Sequence, residues 1–179
     1  MKKKKILYIF SLVLLLFGIV TYRCRGHTQE NILTEIASEY FKLIKNKNVN
    51  GASKLFHYPT DHTEQEIIKD MNVIGRSLQI FINEFGAVLR ADLVETRDIF
   101  YHVSIGGGDL SYWKKHPNSI NLTYKVKFKK AGQGYIDIMF CNINNKWDIR
   151  QVSYGLPQSR PDSKEYILDI TQKIFQLIH

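Results

Sequence analysis

The apolar residues change their spacing near the middle of the chain, and this change restricts the fold more than any other feature of the sequence. Before about residue 87 they recur every three or four residues, which places them on one face of each of several helices. After about residue 98 they alternate with polar residues, which is typical of strands with one buried face. Helices followed by hairpin-connected strands predict an α+β fold, with helices covering one face of an antiparallel sheet.

Three helices are predicted before the strands. The first runs from about Glu30 to Lys45, and a shorter one covers Val49–Phe56. The third has the clearest start, because Thr63 and Glu66 have the spacing of a capping box, in which each side chain satisfies a free backbone N–H of the other residue. Gly86 is a suitable C-cap for this helix.

Three or four antiparallel strands follow, within the segments Asp98–Ile105, Ile120–Phe128, Tyr135–Cys141 and Lys146–Tyr154. Ala131–Gly134 is predicted to be the turn between the second and third of these. The alternation in the last strand skips a step at Arg150-Gln151, which predicts a β-bulge. A final helix is predicted from Asp162, with Glu165 three residues on, to Ile178.

The N-terminal residues have the pattern of an export signal. Lys2–Lys5 precede the apolar segment Ile6–Val20. As a helix, residues 6–22 span about 26 Å, slightly less than a bilayer core of about 30 Å. Three outcomes stay open: an uncleaved anchor, cleavage before His27, or lipidation at Cys24, where the preceding arginine departs from the usual small residue. In each, the lysines stay in the cytoplasm and the domain is exported.

The basic charge of the chain is concentrated in this segment. The net charge is +8, and residues 1–26 carry six basic residues and no acidic one. The remainder has 19 basic and 17 acidic residues, so a basic surface for nucleic acid is not indicated. We therefore expect residues 1–26 to be a signal or membrane anchor, residues 27–155 to form the domain, and residues 156–179 to add a helix packed on it.

The order of elements, with the Asn-Asn-Lys-Trp-Asp-Ile hairpin leading into a bulged last strand, resembles the cystatin-like or NTF2-like superfamily over about residues 29–155. The resemblance implies a cone-shaped domain in which N-terminal helices pack on a curved sheet and enclose a pocket. It also implies frequent dimerisation through the sheet. Members include isomerases, dehydratases and membrane-anchored secretion scaffolds, so the fold alone does not decide the function.

Enzymes of that superfamily place an acid, sometimes with a histidine or tyrosine, among apolar pocket walls. The weak candidates for such a role are Asp98, Tyr101 and His102 on the first strand. Asp137 lies on a later strand, and it points away from the helices if Ile136 and Ile138 face them. The more economical interpretation is that Asp98 and His102 lie on the solvent side of their strand.

The other candidate sites lack the spacing that their chemistry needs. His57 and His62 lie in a predicted loop and lack the tight ligand spacing of zinc sites, so we expect solvated histidines and no metal or cofactor. Gly106–Gly108 lacks the Lys-Ser/Thr of a phosphate loop and indicates a flexible hairpin tip. Beyond it, Tyr112 and Trp113 are candidates for a contact surface. Alternatively, Trp113 plugs the open end of the cone.

The outer face of the Tyr135–Cys141 strand is unusually apolar, because Tyr135, Met139 and Cys141 share it. Such a face marks an interface or is covered by another element. The two predicted covers are the C-terminal helix and a second subunit or envelope protein. Cys141 itself is expected to be a small buried hydrophobe.

Taken together, the sequence predicts an exported, membrane-tethered α+β domain that binds a partner and does not catalyse a reaction. The composition, rich in Ile and Asn behind a lysine-led signal, is typical of a bacterial cell-envelope protein. Two alternatives stay open. One is a small-molecule pocket enzyme of isomerase or dehydratase type on the same fold, and the other is an accessory or immunity-like lipoprotein.

Overall fold

The computed structural model describes residues 29–94, 100–106 and 119–178. The chain divides into two compact units, Met1–Glu35 and Ile36–His179. The predicted signal or anchor, residues 1–26, lies outside the described residues. Among the described helices, none is long and apolar enough to cross a membrane.

Four helices and five strands make up the described chain. Helix α1 covers residues 29–45. The other elements are α2 (Val49–Ser53), α3 (Glu64–Phe85), β1 (Val88–Val94), β2 (Phe100–Gly106), β3 (Ser119–Phe128), β4 (Gly132–Ile143), β5 (Lys146–Pro157) and α4 (Ser163–Ile178). This is an α+β fold in which helices precede an open antiparallel sheet and one helix follows it, as predicted.

The sheet has the strand order β1-β3-β4-β5-β2, with every pair antiparallel. The prediction of three or four strands was wrong, because β1 was missed. This strand lies at the edge of the sheet and shows no alternation, because its apolar residues stand side by side at Val88-Leu89 and at Leu93-Val94 and both leucines are exposed. Leu89 is also an extra residue between Val88, which pairs with Phe128, and Arg90, which pairs with Lys127. A bulged edge strand lacks the period-2 pattern by which buried strands are recognised.

Both predicted ends of α3 are confirmed. Thr63 N donates to Glu66 Oε2 at 2.7 Å, and Glu66 N donates to Thr63 Oγ1 at 3.3 Å, which completes the capping box. At the other end Gly86 has φ of 79° and donates its N–H to Ile82 O. That left-handed backbone favours glycine and ends the helix one residue after Phe85.

The bulge predicted in β5 is also confirmed. Met139 pairs with Gln151 while Phe140 pairs with Ile149, so Arg150 is the extra residue. The predicted turn at Ala131–Gly134 was wrong for three of its four residues, because β4 already begins at Gly132. Gly134 pairs with Val126 within the strand, and glycine is needed there because a Cβ would lie 2.5 Å from Gly155 O.

An aromatic cluster fills the space between the helices and the sheet within the second unit. We define it as Tyr40, Phe81, Phe85, Phe128 and Tyr154, all at most 3% exposed. The rings of Phe81 and Tyr154 stack with centroids 4.2 Å apart, and those of Phe85 and Phe128 lie 4.8 Å apart. The hydroxyls of Tyr40 and Tyr154 are hydrogen-bonded at 2.6 Å, which joins α1 to β5. Aromatic packing of this kind adds to the free energy gained by burying the rings.

Helix α4 packs on α3 and so lies on the helix side of the sheet. Tyr166 Oη donates to Glu84 O at 2.7 Å, and the Tyr166 ring meets Phe85 edge-on with centroids 5.9 Å apart. Lys173 Nζ lies 2.8 Å from Glu84 Oε1. Of the two covers considered for the outer face of the sheet, α4 is therefore not the one. The apolar stripe of α4, which includes Ile167 and Ile170, is buried on the helix side instead.

The Tyr40–Tyr154 hydrogen bond generates a prediction about stability. Replacing Tyr40 by Phe leaves the Tyr154 hydroxyl buried without its partner, which costs about 1–3 kcal/mol of unfolding free energy. Urea unfolding of the single and double variants measures this cost. In Y40F/Y154F both hydroxyls are gone, so we expect that double variant to be more stable than Y40F. A double variant that is no more stable than Y40F would contradict the prediction that the unpartnered Tyr154 hydroxyl is the source of the cost.

Candidate functional site

The interior of the domain is a packed aromatic core at the position where the resemblance implies a pocket. Burial raises the pKa of Tyr40 well above its usual value, and the neighbouring Tyr154 raises it further. Burial also raises the pKa of Tyr154, although the hydrogen bond with Tyr40 opposes this shift. Both hydroxyls are therefore neutral at physiological pH and bonded to each other. The pair holds two elements together and is not suited to acid–base catalysis.

The structure places the predicted catalytic candidates Tyr101 and His102 on opposite faces of β2. Tyr101 has the parity of the buried Val103 and is half-buried opposite Leu156. His102 is exposed on the other face, opposite Gly155. Asp98 lies outside the described residues. The two described candidates are therefore not brought together in one pocket.

Asp137 lies on the outer face of the sheet. Its neighbours Ile136 and Ile138 are fully buried on the helix side, so the carboxyl group points away from the aromatic cluster, as the parity predicted. Asp137 pairs with Thr123 on one side and Ser153 on the other, and it is only 6% exposed. Asp137 is therefore a buried carboxyl on the face of the sheet opposite the aromatic cluster.

The predicted interface residues of β4 are mostly buried within the chain. Tyr135 is 3% exposed and Cys141 is 1% exposed, while Met139 is partly exposed. Cys141 is a buried free thiol, as expected. The centre of the outer face is therefore not an open apolar surface. The other two interface candidates, Tyr112 and Trp113, lie outside the described residues.

A polar cluster that the sequence analysis missed lies at one end of β5. His57 Nδ1 is 3.3 Å from Asp148 Oδ2, and Lys146 Nζ is 3.0 Å from Asp148 Oδ1. The His57 side chain is only 7% exposed, so the prediction of a solvated loop histidine was wrong for this residue. The reason is that residues 55–57 pair with β5: His57 N donates to Ile149 O, and Ile149 N donates to Leu55 O.

The charges of this cluster stabilise the contact between residues 55–57 and β5. They do not activate a nucleophile. Burial alone would raise the pKa of Asp148, but hydrogen bonds from His57 and Lys146 outweigh it and hold the pKa below its usual value. Cys141 Sγ lies 3.7 Å from Asp148 O. Burial, with the nearby Asp148 charge, raises the pKa of Cys141 to about 11, so it remains a thiol at neutral pH. A reactive cysteine needs the opposite shift.

His62, the other loop histidine, is less buried. Its Nδ1 lies 3.3 Å from Asp70 Oδ2, and the side chain is 36% exposed. Among the described ranges, no group of three or more His, Cys, Asp or Glu side chains is placed to hold a metal ion.

An open cleft between α2 and α3 is a candidate binding site within the described part of the chain. It has a volume of about 270 Å³ and is lined by Asn50, Ser53, Lys54, Ile68, Met71 and Asn72. Ile68 is 51% exposed at this cleft. Apolar side chains next to a few amide, hydroxyl and ammonium groups are typical of recognition sites. The cleft was not predicted: the apolar stripe expected along α3 includes Met71 but not Ile68, and no pattern in the sequence places either residue next to α2.

Comparison with known proteins identifies no relative. No protein-family model matches the chain, and neither the curated proteins nor the solved structures give a significant match.

The Asp148 cluster predicts a pH dependence of stability. Because the pKa of Asp148 is lowered in the folded state, its contribution is complete above the unfolded value of about 3.9. This contribution to stability is lost as the pH falls through the pKa of Asp148 in the folded state. We expect D148N to unfold more easily than the wild type at pH 7 and to show a weaker loss of stability below about pH 5. Urea unfolding midpoints between pH 3 and pH 7 measure both effects.

The matched control is D61N, which removes an exposed loop carboxyl group. We expect its pH profile to follow that of the wild type. If D148N also followed the wild-type profile, Asp148 would not be a source of the acid sensitivity.

Proposed function

We propose that this chain is an exported, membrane-tethered binding module of the bacterial cell envelope, built on an NTF2-like domain, and that it binds a partner without catalysis. The observation that carries the proposal is the aromatic cluster, in which Phe81 and Tyr154 stack at 4.2 Å where a substrate pocket is expected. A pocket enzyme on such a fold needs open volume with ionisable groups directed into it. The cluster supports binding at the surface instead.

The NTF2-like assignment is supported by the order of the elements. Helices precede an antiparallel sheet, and the last strand carries the bulge at Arg150. The membrane tether is supported by Lys2–Lys5 and the apolar residues that follow them. Together these features favour a domain that is held near a membrane and presents its surface on the exported side.

The cleft between α2 and α3 is the surface that we propose for the partner. Ile68 and Met71 offer an apolar floor for a side chain, while Asn50 and Asn72 provide amide groups that pair with a peptide backbone. Lys54 adds a positive charge at the rim. This combination suits a segment of a protein with an apolar anchor, since protein interfaces combine buried anchors with a polar rim.

Photo-crosslinking in the bacterial host tests this proposal. A photoreactive amino acid at Ile68 of the full chain is expected to give one discrete adduct, because that side chain lies at the cleft. The adduct should remain with the membrane fraction, and external protease should digest it once the outer layers of the cell are removed. Gel analysis of the fractions before and after protease treatment shows whether the adduct is discrete, whether it is in the membrane fraction, and whether protease reaches it.

The matched control is the same photoreactive residue at Leu168, which is 55% exposed on α4 and comparable with Ile68 at 51%. We expect no discrete adduct from Leu168. Equal adducts from both positions, or none from Ile68, would argue against the cleft as the binding surface. A soluble or protease-protected adduct would argue against the exported, tethered location.

A further inference from the structure

Strand β1 is an accessible edge of the sheet. It pairs with β3 on one side, and no other described strand lies on its second side. Its side chains are accessible: Leu89 is 57% exposed, Leu93 is 45% exposed, and the Arg90 side chain is 75% exposed. Edge strands expose unpaired backbone N–H and C=O groups that can pair with a further strand.

The sequence of β1 is symmetric about Ala91. Val88–Val94 reads Val-Leu-Arg-Ala-Asp-Leu-Val, so each residue before Ala91 is matched by an equivalent residue after it. The two outer pairs are identical residues, and the central pair matches Arg90 with Asp92. A strand with this pattern is complementary to a second copy of itself in the antiparallel direction, because opposite charges then face each other.

We propose that two copies of this chain associate through β1, antiparallel, with a twofold axis passing between the two Ala91 residues. In this arrangement Arg90 lies opposite the partner's Asp92, and the reverse pair forms on the other side of the axis. The two five-stranded sheets then continue into one sheet. An isologous contact of this kind uses the same surface of both copies.

The charges select this register over its neighbours. In an antiparallel pair, directly opposed residues lie on the same face of the sheet. The twofold axis must therefore pass midway between the two copies of one residue, and it cannot lie between two consecutive residues of the strand. Moving the axis to Arg90 would place two arginines opposite each other, and moving it to Asp92 would oppose two aspartates. Only the axis at Ala91 opposes unlike charges.

The orientation of the side chains fits the same arrangement. Arg90 pairs with Lys127 and Asp92 with Lys125, both exposed on β3, so both charges lie on the outer face of the sheet. Within one chain, Arg90 Nε is already 2.7 Å from Asp92 Oδ2. A twofold axis perpendicular to the sheet brings the two ion pairs together as four alternating charges on one face.

The bulge at Leu89 limits the strength of the association. Leu89 is the extra residue of β1, so the regular part of the strand is the short stretch Arg90–Val94. A bulge interrupts the ladder at each end of the new pairing. Since the seven residues of β1 span about 23 Å, the contact is at the small end of specific interfaces. We therefore expect a dimer that dissociates on dilution.

Site-directed crosslinking of the full chain in detergent tests the position of the axis. With Cys24 replaced by Ser, A91C places the Cβ atoms of the two new cysteines about 5 Å apart across the axis. V94C is the matched control on the same strand, and its two thiols would lie about 20 Å apart. With a short bis-methanethiosulfonate reagent, we expect about tenfold more crosslinked dimer from A91C than from V94C. Equal crosslinking of the two variants, or none from A91C, would overturn the proposal.

Charge reversal tests the register independently. R90D and D92R each place like charges opposite each other twice, so each should lower the association constant about tenfold. A mixture of R90D with D92R restores unlike pairs in a heterodimer and should regain association. Analytical ultracentrifugation measures each case. Both positions are on the surface, so the substitutions should leave the fold intact. A misfolded variant would not regain association when the two variants are mixed. Unchanged association in both single variants, or no recovery in the mixture, would overturn this register.

Discussion

The hydrogen bond between the Tyr40 and Tyr154 hydroxyls is the contact on which the interior of this domain depends. Both groups are buried, and each satisfies the other at 2.6 Å. A buried hydroxyl without a partner is costly, so α1 and β5 are held in the one arrangement that keeps the two oxygens together. Phe81 stacks on Tyr154 from α3, and Phe85 connects the same ring to Phe128. Two helices, α1 and α3, and two strands, β3 and β5, therefore meet in one aromatic cluster.

This packing determines where the protein can interact with other molecules. Because the aromatic cluster occupies the space between the described helices and the sheet, we propose recognition at the surface, where the described residues offer two features of different kinds. The α2–α3 cleft combines Ile68 and Met71 with amide groups, which suits a protein segment. The β1 edge combines exposed leucines with a self-complementary charge pair, which suits a second copy. The two lie on different elements, so one copy can use both.

Much of the fold could be predicted because its signals are local. The capping box at Thr63 and Glu66, the alternation along β3 and the bulge at Arg150 each depend on residues within a few positions of one another. Strand β1 was missed because an exposed, bulged edge carries no alternation. The His57–Asp148 contact joins residues 91 positions apart, and a single sequence has no signal for such a pairing. The cleft was missed because Ile68 lies outside the apolar stripe of α3, and a single sequence does not show that α2 lies next to it.

The most direct test of the filled interior is binding of xenon, a small apolar probe that enters empty cavities. The measurement is the change in the methyl chemical shifts of Ile136 and Ile138, which are fully buried on the helix side of β4, as xenon pressure rises. We predict no saturable change in the wild type. In F81A, which removes the ring stacked on Tyr154, we predict a saturable change because a cavity opens. Saturable binding in the wild type at these methyl groups would show that the domain has an interior chamber, and it would contradict the account of a surface-binding module.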